Sequence, residues 1–205
     1  LDALRVIDKP VTAVMITSDK VYDNVEWVWG YRETDRLGGK DPYSASKGMA
    51  ELAIRSYVDS FFRASDSNIR VGIARAGNVI GGGDWAADRI VPDCMSAWSI
   101  SKIVEIRNPT ATRPWQHVLE PLSGYLTLAS HLSQDKSING EAYNFGPSPS
   151  QNHSVSELIN EMGKHWEQVK WNDTSKNKKH LHEAGLLKLN CDKALFDLQW
   201  QPTLQ

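Results

Sequence analysis

Tyr43 and Lys47 stand four residues apart in the segment DPYSASKGMAELAIRSY. On a helix that spacing places both side chains on one face. An ammonium beside a phenol favours the phenolate, so Tyr43 is a candidate proton shuttle near neutral pH. A second polar group lies upstream: Thr17, Ser18, Asp19 and Lys20 follow directly on the apolar run Val14-Met15-Ile16. Polar side chains at the carboxyl end of a buried parallel strand sit where open α/β sheets bind ligands. A Tyr-x-x-x-Lys pair alone is also common on the surface of amphipathic helices. Its position about twenty residues after a polar strand end is what gives it weight.

Two elements must hold these groups. Residues 12–18 read as a strand. Asp41-Pro42 opens a helix that runs to about Ala64, with Asp as N-cap and Pro at the first helical position. Met49, Leu52, Ala53, Ser56, Tyr57 and Ser60 fall at helical spacing along it. Between strand and helix, residues 23–40 form a loop with Trp27 and Trp29, which either line a site or pack on the sheet edge; the sequence leaves both open. Further on, 70–76 reads as a strand ending in Arg75-Ala76-Gly77-Asn78, where glycine permits close backbone approach. Helices are expected at about 87–101, 119–133, from the Ser154/Glu157 capping box to about 168, and 191–198. Strands are expected at 102–107, 142–145 and 187–189. The 119–133 helix carries Leu122, Leu126, Ala129 and Leu132 as its apolar face. Residues 1–8 read as a helix end stopped by Lys9-Pro10.

Composition excludes several classes. The chain has 205 residues, 40% hydrophobic and 23% charged, with a formal net charge of -2. That is ordinary for a globular protein and gives no electrostatic footprint for nucleic acid. No apolar stretch approaches the ~20 residues of a membrane span, so no membrane partner is expected. The N-terminus lacks a signal-peptide pattern. Cys94 and Cys191 lie far apart, which points to reduced thiols and a cytoplasmic location. The run Lys176–His182 holds two histidines without further ligands at fixed spacing, so it reads as a solvated loop and no metal is expected. His117 reads as a structural, hydrogen-bonded residue.

Together, TSDKVYDN and YSASK resemble the extended short-chain dehydrogenase/reductase family, and within it the nucleotide-sugar 4,6-dehydratases, with the CDP-glucose-converting members nearest. The likeness continues through ARAGNVIGGGDWAADRIVPD, RPWQHVLEPLSGYLTLA and EAYNFGP to LQWQP, nearly the whole chain. It implies an α/β fold: the second half of a Rossmann-like parallel sheet in residues 1–83 and 113–149, and a smaller substrate-binding region in 84–112 and 150–205. The glycine-rich dinucleotide fingerprint is absent, and the resemblance implies that several strand–helix units precede this segment.

The same resemblance implies the chemistry. The cofactor is NAD and the substrate a nucleotide sugar. Tyr43 takes the proton of the carbon 4 hydroxyl, Ser18 hydrogen-bonds it, and Lys47 holds the nicotinamide ribose. Asp19 protonates the departing hydroxyl, which requires a raised pKa. Lys20 is the carbon 5 base where related dTDP-sugar enzymes place Glu; otherwise it points outward or pairs with Asp19. Thr17, Ala76 and Gly77 lie on the cofactor side, with Asn78, Arg89 and Arg113 on the substrate. Arg113 suits a diphosphate because its planar fork matches phosphate oxygens. A homodimer or higher homo-oligomer is implied, through the Tyr43 helix. The alternatives are another enzyme of the family, an epimerase or reductase, which often lacks the acid–base pair, or an inactive binding fragment.

Overall fold

The computed structural model describes residues 1–148, 150–176 and 185–204. In chain order its elements are strand β1 (Val11–Ile16), helix α1 (Pro42–Tyr57), β2 (Ile69–Ala76), β3 (Val79–Ile80), α2 (Ile90–Trp98), β4 (Val104–Ile106), β5 (Thr112–Arg113), β6 (Gln116–His117), α3 (Leu119–Gln134), β7 (Ala142–Phe145), β8 (His153–Ser154), α4 (Val155–Gly163), β9 (Trp171–Asp173) and α5 (Asp192–Leu198). A 3-10 turn covers Asp2–Val6 and a π turn, Val58–Phe62, extends α1.

The centre is a parallel sheet ordered β1-β2-β7, with Val11 opposite Ile69, Ile16 opposite Ala74, and Ala76 opposite Phe145. Helices cover both faces, as an all-parallel sheet requires. On one face Val71, Ile73 and Ala142 pack with Ile54, Val58 and Phe62 of the α1 segment. On the other, Ala74, Tyr143 and Phe145 pack with Leu128 of α3 and with Ala194 and Leu198 of α5. Alternation along a strand separates the two sets. A second body of apolar side chains gathers Cys94, Trp98, Val104, Ile106 and Ile159 beneath α2, α4 and the β4–β9 pair. It lies apart from the sheet and borders the cleft described below.

The chain departs from its sequence pattern in several places. On α1 the inward positions are Ser44, Gly48, Glu51 and Ile54, while Met49 and Leu52 are about 60% exposed (62% and 59%). The buried row is one step round the helix from the apolar one, because a small residue and a carboxylate occupy it. On α3 Gly124, Leu128 and Leu132 face inward, while Leu122 and Leu126 are exposed; an α-carbon without a side chain at Gly124 lets the Phe145 ring approach. The helix expected over 87–101 is shorter, with Arg89 as its N-cap. The helix from the capping box stops at Gly163 rather than near 168. Leu187–Leu189 forms no strand, only a bridge from Leu189 to Tyr31. Leu187 and Leu189 pack with Val21, Tyr22 and Tyr31 of the loop after β1, and Ala194, Leu198 and Trp200 pack on the sheet. Of the basic run Lys176–His182, all but Lys176 lie outside the described residues.

Candidate active site

Both polar groups named above reach the same end of the sheet. β1 ends at Ile16, and the chain turns at once into a short 3-10 segment, Asp19–Val21. Ser18 caps it: the Lys20 amide donates to the Ser18 hydroxyl oxygen at 3.2 Å. That hydroxyl in turn donates to Asp19 Oδ1 at 3.0 Å. The other carboxyl oxygen, Oδ2, is buried and unpartnered. Burial raises the Asp19 pKa, and the nearby Lys20 and Arg113 charges only partly offset it.

Tyr43 enters from α1. Asp41 caps this helix, accepting from the Ser44 amide at 3.0 Å and the Ser44 hydroxyl at 2.6 Å. These bonds hold the Asp41 carboxyl below its ordinary pKa. With the start of the helix pinned and Pro at its first position, Tyr43 is presented in the first turn. Lys47 follows one turn later with its Nζ 5.7 Å from the Tyr43 ring centroid.

A cleft of about 610 Å³ opens here, and Ser18, Asp19, Lys20 and Tyr43 all line it. Gly77, Asn78, Arg89 and Arg113 form other parts of its wall. Thr17, Lys47 and Ala76 are not part of that lining. Arg89 pairs with Asp84 at 3.4 Å. Arg113 is buried, and its Nη1 donates to the Thr112 carbonyl at 2.8 Å. Gly77 has no room for a side chain: an added Cβ would lie 2.7 Å from Pro114 Cγ and 3.2 Å from Asp19 Oδ2. A second hollow, about 630 Å³, lies beyond Asp19 and Lys20 against the loop holding Asn24 and Val25. Trp27 packs on Tyr31 with ring centroids 5.3 Å apart, and neither Trp27 nor Trp29 lines either of these two hollows.

Several lining residues escaped the sequence reading, Trp115 among them. Trp115 lies in the cleft wall with its indole nitrogen buried and unpartnered. Its motif, RPWQHV, was visible, but the tryptophan reads as packing until its orphaned donor is seen. His117 is structural as expected: its Nδ1 accepts from the Leu119 amide at 3.2 Å, at the start of α3. Burial pushes the Cys94 and Cys191 thiols up to about 12, so neither serves as a thiolate nucleophile at neutral pH. Among the described residues no group of His, Cys, Asp or Glu is placed to hold a metal ion, and no helix is long and apolar enough to cross a membrane.

Residues 1–146 match the NAD dependent epimerase/dehydratase family. The chain belongs to that family. Its sequence is 47% identical to the CDP-glucose 4,6-dehydratase of Salmonella typhimurium, over 98% of this chain and 57% of that protein. The chain therefore spans little more than half the length of this curated relative. Solved structures share its fold. The UDP-glucuronic acid 4-epimerase of Bacillus cereus, in complex with UDP-glucuronic acid and NAD, superposes with a TM-score of 0.82 at 22% identity, over 100% of this chain and 60% of that one. DesIV, the dTDP-glucose 4,6-dehydratase of Streptomyces venezuelae, gives 0.74 at 20% identity, over 95% of this chain and 56% of that one.

Proposed function

We propose that the whole protein removes water from a nucleotide-activated hexose, converting CDP-glucose to CDP-4-keto-6-deoxyglucose with NAD as internal redox carrier. One observation carries the reading. A desolvated Asp19 carboxyl with a raised pKa and a free oxygen borders the same cleft as Lys20 and Tyr43. An epimerase or a reductase has use for a tyrosine and a serine at carbon 4 but none for a further desolvated acid beside a lysine. The 47% identity to a CDP-glucose 4,6-dehydratase supports the choice of sugar nucleotide.

The residues present suit NAD. Gly77 offers bare backbone where a Cβ would collide with Pro114, and Lys47 stands beside Tyr43 to meet ribose hydroxyls. In this reading Thr17 and Ala76 lie behind the cleft wall on the cofactor side, each next to a residue that lines it, Ser18 and Gly77. The chemistry NAD supplies when bound is hydride removal at carbon 4 and hydride return at carbon 6. The Tyr43 oxygen takes the proton of the carbon 4 hydroxyl, and the Ser18 hydroxyl orients that group. The ketone acidifies the carbon 5 hydrogen, which Lys20 removes as a proton; a lysine does so only in its neutral form. The carbon 6 hydroxyl then leaves as water, taking its second proton from Asp19. Arg113 holds the diphosphate, Arg89 contacts the substrate, and Asn78 lies at the sugar-phosphate.

Turnover of the whole protein with a panel of CDP-, dTDP-, GDP- and UDP-sugars tests the proposal. CDP-glucose should be the best substrate; fast turnover of dTDP-glucose with none of CDP-glucose would refute it. The exposed Met49 and Leu52 of α1 form the contact between two copies in a reducing cytoplasm. Leu52→Glu should then lower the sedimenting mass, and an unchanged mass removes α1 from the interface.

A further inference from the structure

Glu51 has no place in the mechanism above, yet it is fully buried, and so is its partner Arg75. Glu51 lies on α1 four residues beyond Lys47 and eight beyond Tyr43. At helical spacing it continues their side of the helix downward to the sheet. Strand alternation brings its partners to meet it. Arg75 follows Val71 and Ile73 on the α1 face of β2, and Thr17 follows Ala13 and Met15 on the α1 face of β1.

Both carboxylate oxygens are engaged. Oε1 accepts from the Thr17 hydroxyl at 2.7 Å and from Arg75 Nε at 2.8 Å, and Oε2 accepts from Arg75 Nη2. Arg75 Nη1 donates to the Tyr22 hydroxyl at 2.7 Å and to the Glu33 carbonyl at 3.2 Å. Tyr22 passes the chain on to Asn144 Oδ1 on β7, also at 2.7 Å. One carboxylate thus ties the helix bearing Tyr43 and Lys47 to the residue directly before Ser18, Asp19 and Lys20.

A buried ion pair is a poor way to gain stability, since apolar residues of similar volume often serve as well or better. What the pair does supply is direction. A guanidinium fork on a carboxylate fixes distance and rotation together, and small misplacement of reacting groups costs large factors in rate.

We infer that Glu51 is a positioning residue, a clamp that sets the register between the Tyr43–Lys47 helix and the Ser18–Asp19–Lys20 strand end. The role rests on the dehydratase reading for its purpose, though not for its geometry. The clamp keeps both proton-transfer groups aligned on one bound sugar through oxidation and elimination.

Thr17→Val removes one arm of the clamp while leaving Glu51 and Arg75 paired, so the fold is kept; Thr17→Ser keeps the hydroxyl. In the whole protein, with CDP-glucose, Thr17→Val should slow the single-turnover rise in absorbance at 340 nm about tenfold. It should raise the isotope effect with carbon 4 deuterated substrate and leave KM within about twofold. Thr17→Ser should restore the rate. Amide hydrogen exchange at residues 43–48 should quicken in Thr17→Val with the rest of the sheet unchanged. If the variant loses only thermal stability, with rate per folded molecule, isotope effect and exchange at 43–48 all as in the wild type, the pair is structural and the clamp is wrong. If the wild type turns over no nucleotide sugar while exchange at 43–48 still quickens in Thr17→Val, the dehydratase reading fails and the clamp stands.

Discussion

The strand end and the helix that face each other across the cleft are built to opposite specifications. Asp19 is 4% exposed and its carboxyl is held above its ordinary pKa by desolvation. Tyr43 is 56% exposed, with Lys47 Nζ 5.7 Å from its ring centroid. The strand end thus presents a desolvated acid and the helix an exposed phenol beside a lysine. Two differently exposed groups border one cleft. That arrangement suits a reaction with two distinct proton-transfer steps. Groups carried on separate elements also need a rigid link behind them to meet on one substrate.

The comparison breaks most visibly at Tyr43. Tyr43→Phe in the whole protein should block the first step, leaving 340 nm absorbance flat after mixing with substrate and product formation down ~100- to 10,000-fold or more. Lys20→Ala should lose a similar factor in product but behave differently before it. Absorbance at 340 nm should still rise, while exchange of the carbon 5 hydrogen with deuterated solvent disappears. A Lys20→Ala enzyme that makes product at a near-normal rate would leave Lys20 an outward-pointing lysine. A Tyr43→Phe enzyme that still oxidises carbon 4 would move the first proton transfer elsewhere.

How much of this was legible in the sequence follows the same division. Helix starts declare themselves by residue type and spacing: Asp41-Pro42 starts α1 where expected, and Ser154 with Glu157 closes its capping box. Six-residue β1 and eight-residue β2 fall where apolar runs lie. What stayed hidden is everything held by burial of polar groups. The helical spacing of α1 left Glu51 out of its apolar row, and Arg75 read only as part of a strand end, because a sequence pattern does not count a charged residue as inward-facing. That one assumption turned the inward face of α1 by a step and concealed the link to Thr17. On α3 the same counting favoured Leu122 and Leu126 over Gly124, whose lack of a side chain is what admits Phe145. Leu187–Leu189 looked like a strand from its residues, but the loop beside it offers a single bridge at Tyr31.

The smallest effect separates the two environments without any substrate. The folded state raises the Asp19 pKa above the ordinary 3.8 because burial disfavours the charged form. A raised pKa means that the folded protein holds this proton more tightly than the unfolded chain. The stabilisation is therefore complete below pH 3.8 and is lost as pH rises through the folded value. Asparagine cannot ionise, so Asp19→Asn should escape that loss. The Ser18 hydroxyl can still donate to the amide oxygen, and any cost of the new NH2 in place of Oδ2 is the same at every pH. The melting temperature of Asp19→Asn relative to wild type should therefore rise with pH and then level off. At this size each kcal/mol moves the midpoint by roughly 2–4 °C. A gap between Asp19→Asn and wild type that stays constant or shrinks with pH would mean that Asp19 is not held protonated by burial, and the acid assigned to the leaving hydroxyl would have to be found elsewhere.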